Sequence, residues 1–226
     1  MHSRTAPVPP PAAVLFDMDG TLVDTEHLWW RAVAEVAERL GYRLSDADLP
    51  EVLGCPVAHT AGYLCRTTGA AVPEARIARG LDDAFASRVA GDVTPRPGVL
   101  RLLAGLRAAA VPTGLVTASP RRIVDLVLDR LGADWFTLTV AAEDTARAKP
   151  APDPYLTAAE RLGVEPGDCV AVEDSPPGLA SARAAGCRVV AVPSTVPIPP
   201  GDGVMVVGSL EEVDLTLLSA FAAARA

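Results

Sequence analysis

The chain has 226 residues, half of them hydrophobic, and a formal net charge of -8. That length suits one core, or one core with a modest insertion, and is short for two full domains. Acidic and basic residues are interspersed with no basic run, which leaves no footprint for a nucleic-acid or anionic-membrane partner. A small anionic ligand stays compatible, because a few local donors hold a phosphate against an unfavourable global charge.

Residues 1–11 carry four prolines and no periodicity, and read as a disordered lead-in. Ala13-Val14-Leu15-Phe16 is a short apolar run, predicted to be a buried strand. It is followed at once by Asp17-Met18-Asp19-Gly20-Thr21. Two carboxylates two residues apart point the same way on an extended chain, and Gly20 permits a sharp turn. Such a pair suits a hard cation, a nucleophile beside a general acid, or simply an acidic turn. A calcium EF-hand loop fits less well, since its glycine should be sixth and here it is fourth.

From about His27 to Ala90 the pattern is helix after helix: His27 to Leu40 closed by Gly41, then segments around 58–67 and 74–89. Residues 91–98 are rich in Gly and Pro and mark a return. Helical patterns over 99–110, 120–131, 154–162 and 178–185 then alternate with apolar runs at 113–116, 169–172, 188–192 and 204–207. Gly132, Gly163 and Gly186 close three of these helices, as left-handed C-caps would. Strands alternating with helices predict an α/β fold with a doubly wound parallel sheet covered on both faces. The predicted organisation is a core of residues 12–25 and 96–226, interrupted by an all-helical cap over 26–95.

Polar groups recur where the apolar runs end, the place at which open α/β sheets bind ligands. Thr117-Ala118-Ser119 follows Val116 and opens a helix, so it is either an N-cap or an anion site. Lys149-Pro150 lies in the loop after Val140-Ala141-Ala142, expected to be reached by solvent. Lys149 is the sole lysine beside nineteen arginines, and a compact ammonium is not interchangeable with a guanidinium. Glu173-Asp174-Ser175 ends the run 169–172, and adjacent carboxylates there are costly unless a cation or hydrogen bonds neutralise them. The cysteines Cys55, Cys65, Cys169 and Cys187 form no CxxC pair and read as reduced structural thiols. No segment looks like a signal peptide or a membrane span. These readings make the cytoplasm the expected compartment.

Taken in order, Asp17-Met18-Asp19-Gly20-Thr21, Thr117, Lys149 and Glu173-Asp174 resemble the four motifs of the haloacid dehalogenase superfamily, and the match covers nearly the whole chain. The resemblance implies a Rossmann-like core, a helical cap and an Mg²⁺-dependent phosphatase. It makes Asp17 the nucleophile that forms an aspartyl-phosphate, and Asp19 the acid and then the base. Thr117 and Lys149 would hold phosphoryl oxygens, with Gly20, Thr21, Ala118 and Ser119 lining the phosphate. Asp17, the Asp19 carbonyl, Asp174 and a supporting Glu173 would hold the metal. The runs from Asp24 to Trp29 and from Lys149 to Pro154 are similar to those of sugar-phosphate phosphatases and β-phosphoglucomutases. Trp29 stands where a mutase of this group carries a cap histidine, and Val57 where it carries an arginine. Those departures favour phosphatase over mutase. The implied partner is a small phosphorylated metabolite, most simply a sugar or polyol phosphate; neither the specific substrate nor an oligomeric state is legible.

Overall fold

The computed structural model describes residues 8–194 and 196–224. Of the disordered lead-in expected over residues 1–11, residues 1–7 lie outside the described residues, and Pro11 at its end is buried. In chain order the regular elements are β1 (Ala13–Phe16), α1 (Glu26–Arg39), α2 (Leu49–Val52), α3 (Val57–Thr68), α4 (Glu74–Gly91) and α5 (Val99–Ala108). Then follow β2 (Thr113–Val116), α6 (Arg121–Leu131), β3 (Leu138–Val140), α7 (Asp153–Leu162), β4 (Cys169–Glu173), α8 (Pro176–Ala184), β5 (Arg188–Ala191), β6 (Val204–Val206) and α9 (Leu215–Ala223). Backbone contacts gather these into two units. One holds the residues up to Leu22, Pro95–Arg121 and those from Gly132 onward; the other holds Val23–Thr94 and Arg122–Leu131.

The first unit is built on a six-stranded sheet in the order β3-β2-β1-β4-β5-β6, every pairing parallel. Parallel strands are stable when both faces are covered, which is why these strands read as unbroken apolar runs. Ala13 and Leu15 of β1, Ala171 of β4 and Val189 of β5 join Tyr155, Ala158 and Ala159 of α7 and Ala182 of α8 in one apolar cluster. Their strand neighbours Val14, Phe16, Val170, Val172 and Val190 point to the opposite face and are equally buried. On burial of about 25 cal/mol per Å² of apolar surface, each such side chain contributes roughly 1.5–3 kcal/mol before entropy is counted. The chain runs outward in opposite directions from the neighbours β1 and β4, so the crevice beyond their carboxyl ends is the topological switch point.

The second unit is helical. On α1 the residues Leu28, Ala32 and Val36, beside Trp29, Val33 and Ala37, form one buried stripe at helical spacing. Helix α4 packs against α1 and α3. Trp29 meets Phe85 edge to face at 5.4 Å, and its indole N–H donates to the Val52 carbonyl at 2.8 Å. Asp48 is buried and collects the hydroxyls of Tyr42 (2.7 Å), Tyr63 and Ser45 (3.0 Å) together with the Ser45 N–H (2.6 Å).

Three elements go beyond the sequence reading. Strand β3, helix α9 and the single turn α2 form where no element was predicted. Gly163 caps α7 in the left-handed conformation, whereas Gly132 takes φ 101° and ψ 117° and turns the chain without a left-handed cap.

Candidate active site

Three neighbouring strands deliver the site. Asp17 follows β1 and is only 7 % exposed; its N–H donates to the Val172 carbonyl of β4, which continues the sheet one residue past the strand. Gly20 then takes φ 80°, and a Cβ there would lie 2.1 Å from Asp174 Oδ2. Only glycine lets the loop turn this closely against the carboxylate at the end of β4. Asp174 accepts from the Ser194 hydroxyl at 2.6 Å. Glu173, wholly buried, closes β4.

Lys149 is not the solvent-reached loop residue expected from its sequence context. Its side chain is 5 % exposed. The ammonium donates to Asp17 Oδ1 at 2.7 Å, to the Val116 carbonyl at 2.9 Å and to Glu173 Oε1 at 2.6 Å. Those bonds use all three of its N–H donors. The correction has a simple cause: the loop folds back over the ends of β1, β2 and β4, and two carboxylates there make burial of a cation favourable. Burial by itself would lower the pKa of Lys149, but the Asp17 and Glu173 carboxylates outweigh it and hold the ammonium above the ordinary lysine range.

Glu173 is held at both oxygens. Oε1 accepts from Lys149 and from the Tyr155 hydroxyl at 2.6 Å; Oε2 accepts from the Ser175 hydroxyl at 3.3 Å and the Asp174 N–H at 3.2 Å. Gly178 makes room for it, since a Cβ at that position would sit 2.0 Å from both carboxylate oxygens. Asp19 has partners of its own: its Oδ2 accepts from Ser119 Oγ at 2.7 Å and from Thr117 Oγ1 at 3.3 Å. The Ser119 N–H in turn donates to Thr117 Oγ1 at 3.0 Å. Ala118 is exposed between them, and Thr21 is fully buried.

Electrostatics single out Asp17. Burial pushes its carboxyl well above the usual carboxylate range; Lys149 pulls it back, while Glu173, Asp174 and Asp19 push it further up. Asp17 Oδ2 and Thr21 Oγ1 are buried without a hydrogen-bond partner among the described residues. Oxygens of Asp17, Glu173 and Asp174 lie within 4.8 Å of one another. With all three ionised, three carboxylates against one ammonium would leave two negative charges in a buried cluster, and a divalent cation would balance them. All the donors are carboxylate oxygens, suited to a hard ion. The residues present therefore fit a divalent metal.

The sequence-predicted residues thus form two groups: Asp17, Lys149, Glu173 and Asp174 in one, Asp19, Thr117 and Ser119 in the other, with Gly20 linking them along the chain. Tyr155 and Ser194 were not foreseen. Both had a signal. Ser194 is a hydroxyl shortly after a predicted strand, and Tyr155 sits six residues beyond the lone lysine in a helix whose apolar face turns to the sheet.

Comparison with known proteins shows the family. A family model described as haloacid dehalogenase-like hydrolase matches residues 14–192. The plasmid-encoded protein CbbY of Cupriavidus necator is 39 % identical over 214 residues, covering 81 % of this chain and 78 % of that one. Hexitol phosphatase A of Escherichia coli is 36 % identical over 206 residues, covering 89 % and 93 %. Among solved structures, CbbY from Rhodobacter sphaeroides in complex with phosphate superposes with a TM-score of 0.79 at 29 % identity, covering 89 % and 96 %.

Proposed function

We propose, for a chain that belongs to the haloacid dehalogenase-like hydrolase family and is a phosphoric monoester hydrolase, that its substrate is a small sugar or polyol phosphate. We further assign Mg²⁺ as its metal and Asp17 as its nucleophile. Two supports underlie the substrate class: the likeness to a hexitol phosphatase across most of both chains, and an acidic chain with no basic run for larger anions. The observation that carries the mechanism is the buried Asp17 carboxylate, with Oδ1 gripped by Lys149 and Oδ2 without a hydrogen-bond partner among the described residues.

In the reaction an Asp17 oxygen attacks phosphorus, the bond from phosphorus to the substrate oxygen breaks, and Asp17 carries the phosphoryl group. Asp19 gives its proton to the departing oxygen. The Thr117 and Ser119 hydroxyls, both on Asp19 Oδ2, orient that carboxyl. The same carboxylate then takes a proton from water, whose oxygen displaces Asp17 and releases inorganic phosphate. The Lys149 N–H now on Asp17 and the Thr117 hydroxyl now on Asp19 would be shared with phosphoryl oxygens and hold them as charge shifts among them. Asp17, Asp174 and the Asp19 backbone carbonyl would hold Mg²⁺, with Glu173 supporting from behind. When bound, the metal offsets the repulsion between a carboxylate and a phosphate dianion.

The phosphomutase alternative has nothing in its favour at Trp29. That side chain is packed against Phe85 with its N–H on the Val52 carbonyl, and an indole has no proton to exchange at neutral pH. Among the described residues no helix is long and apolar enough to cross a membrane. With all four cysteines free, a reducing cytoplasm is the compartment we assign.

A screen of hexose, pentose and polyol phosphates with Mg²⁺ tests the assignment. Phosphate release from at least one, abolished by EDTA and restored by Mg²⁺, is the expected result; activity that survives chelation contradicts the metal assignment. With β-glucose 1-phosphate and a bisphosphate primer we expect no net isomerisation. Glucose 6-phosphate appearing faster than inorganic phosphate would make the protein a mutase.

A further inference from the structure

We propose that Tyr155 is a positioning residue of the active site, whose hydroxyl holds Glu173 in the orientation that keeps Lys149 against Asp17. This deepens the roles given above to Lys149 and Asp17 and rests on them.

Tyr155 is 0 % exposed and packs in the apolar cluster beneath the sheet with Ala158 and Ala159 of its own helix. A buried phenol in such a setting normally finds a hydrogen-bond partner, and here the partner is the wholly buried Glu173, at 2.6 Å. A phenol hydroxyl facing a carboxylate oxygen donates to it. Its ring also faces the lysine, with Lys149 Nζ 5.1 Å from the centroid, inside cation–π range. Tyr155 therefore touches the ammonium directly and governs its carboxylate neighbour.

Glu173 Oε1 receives two donors, Lys149 and Tyr155. Without the hydroxyl, Oε1 would have Lys149 as its only side-chain donor in a water-poor pocket. The carboxylate would then rotate toward the ammonium and draw it from Asp17 Oδ1, now 2.7 Å away. A shift of that kind misaligns the charge that supports attack at the phosphoryl group and leaves the contacts to the rest of the substrate alone.

Tyr155→Phe removes only the oxygen and keeps the ring. Because Lys149 is the sole lysine in the chain, protein labelled with ¹⁵N-lysine gives a single side-chain ammonium signal, and its exchange with water reports how firmly Lys149 is held. In wild-type protein we expect that signal to be protected at neutral pH. In Tyr155→Phe we expect faster exchange, a kcat lower by about tenfold, the size of effect common for residues that orient a ligand, and KM little changed. An unchanged kcat, or a lowered kcat with undisturbed ammonium exchange, overturns the proposal. So does a rise in KM at constant kcat. Should the variant fail to fold, the wild-type signal decides alone, since an ammonium in fast exchange is not anchored as described. A wild-type protein with no phosphatase activity would instead sink the assignment of the site itself.

Discussion

Replacing Lys149 by arginine separates charge from shape. The ammonium sits among three acceptors with 5 % of the side chain exposed, so the wider, planar guanidinium has to displace Asp17, Glu173 or the phosphoryl group. A misplacement of about 1 Å costs on the order of a hundredfold in rate, and we expect kcat to fall at least that far. Stability should fall as well. Forcing extra atoms into a packed site costs roughly 1–3 kcal/mol, which for a chain of this size lowers Tm by roughly 2–4 °C per kcal/mol. Kinetics and a thermal scan of Lys149→Arg check both; near wild-type values in each would mean that the pocket is looser than its hydrogen bonds imply. That lysine also marks a limit of sequence reading. Its partners are 132, 33 and 24 residues away, and nothing local says that a loop lysine will be folded over by strand ends. Its chemistry was legible from composition; its burial was not.

Helix α8 offers a test at the level of an element, because two rules disagree there. Gly178 lies in the helix at an ordinary φ, where propensity favours alanine by roughly 1 kcal/mol. Yet an added Cβ would stand 2.0 Å from the Glu173 carboxylate, and the Gly178 N–H caps the helix on Ser175 Oγ at 3.2 Å. We predict that Gly178→Ala lowers both Tm and kcat, measured by thermal unfolding and phosphate release. A rise in Tm would show that Glu173 moves aside freely. In the helical unit the matching feature is Asp48. Burial alone would raise its carboxyl, but hydrogen bonds from Tyr63, the Ser45 N–H, Tyr42 and the Ser45 hydroxyl outweigh this and hold it at about 2, below its ordinary 3.8. A depressed folded-state pKa means that the stabilisation is complete above about 4 and is lost as pH falls toward 2. Asp48→Asn should therefore lower Tm at neutral pH and weaken the dependence of Tm on pH across that window. An unaltered pH dependence would show that the cluster contributes nothing through its charge.

Which elements could be read from the sequence follows from how each is stabilised. The central strands β1, β2, β4 and β5 are buried on both faces, so their apolar runs announce them. Strand β3 is three residues at the sheet edge, with Leu138 and Thr139 half-buried, and carries no alternation to notice. Helix α9 is apolar nearly throughout, Leu215-Thr216-Leu217-Leu218 leading into Ser219-Ala220-Phe221, and gives no amphipathic signature; its Asp214 N-cap, bonded to the Leu217 N–H at 2.8 Å, was the available clue. In the site, the motif residues could be picked out by type and order, whereas the contacts of Tyr155 and Ser194 with Glu173 and Asp174 exist only once the sheet is packed.

At the scale of the molecule, the two compact units differ in what they carry. The sheet unit holds every residue assigned to chemistry, and its charge cluster makes a thermodynamic prediction independent of substrate. The carboxylate cluster of Asp17, Glu173 and Asp174 around Lys149 should let Mg²⁺ stabilise the fold by mass action, by about 2.7 kcal/mol at a hundredfold excess over its Kd, read as a rise in Tm. Asp174→Asn should lose most of that response. The helical unit carries no comparable motif, and its packing around Trp29 and Asp48 explains its stability without naming a substrate. The central claim is that Asp17 is the group that takes the phosphoryl. It is tested most directly by phosphate release from Asp17→Asn beside the wild-type protein, with Mg²⁺ and the best substrate of the screen. An amide keeps an acceptor for Lys149 but is a poor nucleophile, so we predict a folded protein with no detectable turnover. Turnover above a trace in that variant would contradict the account.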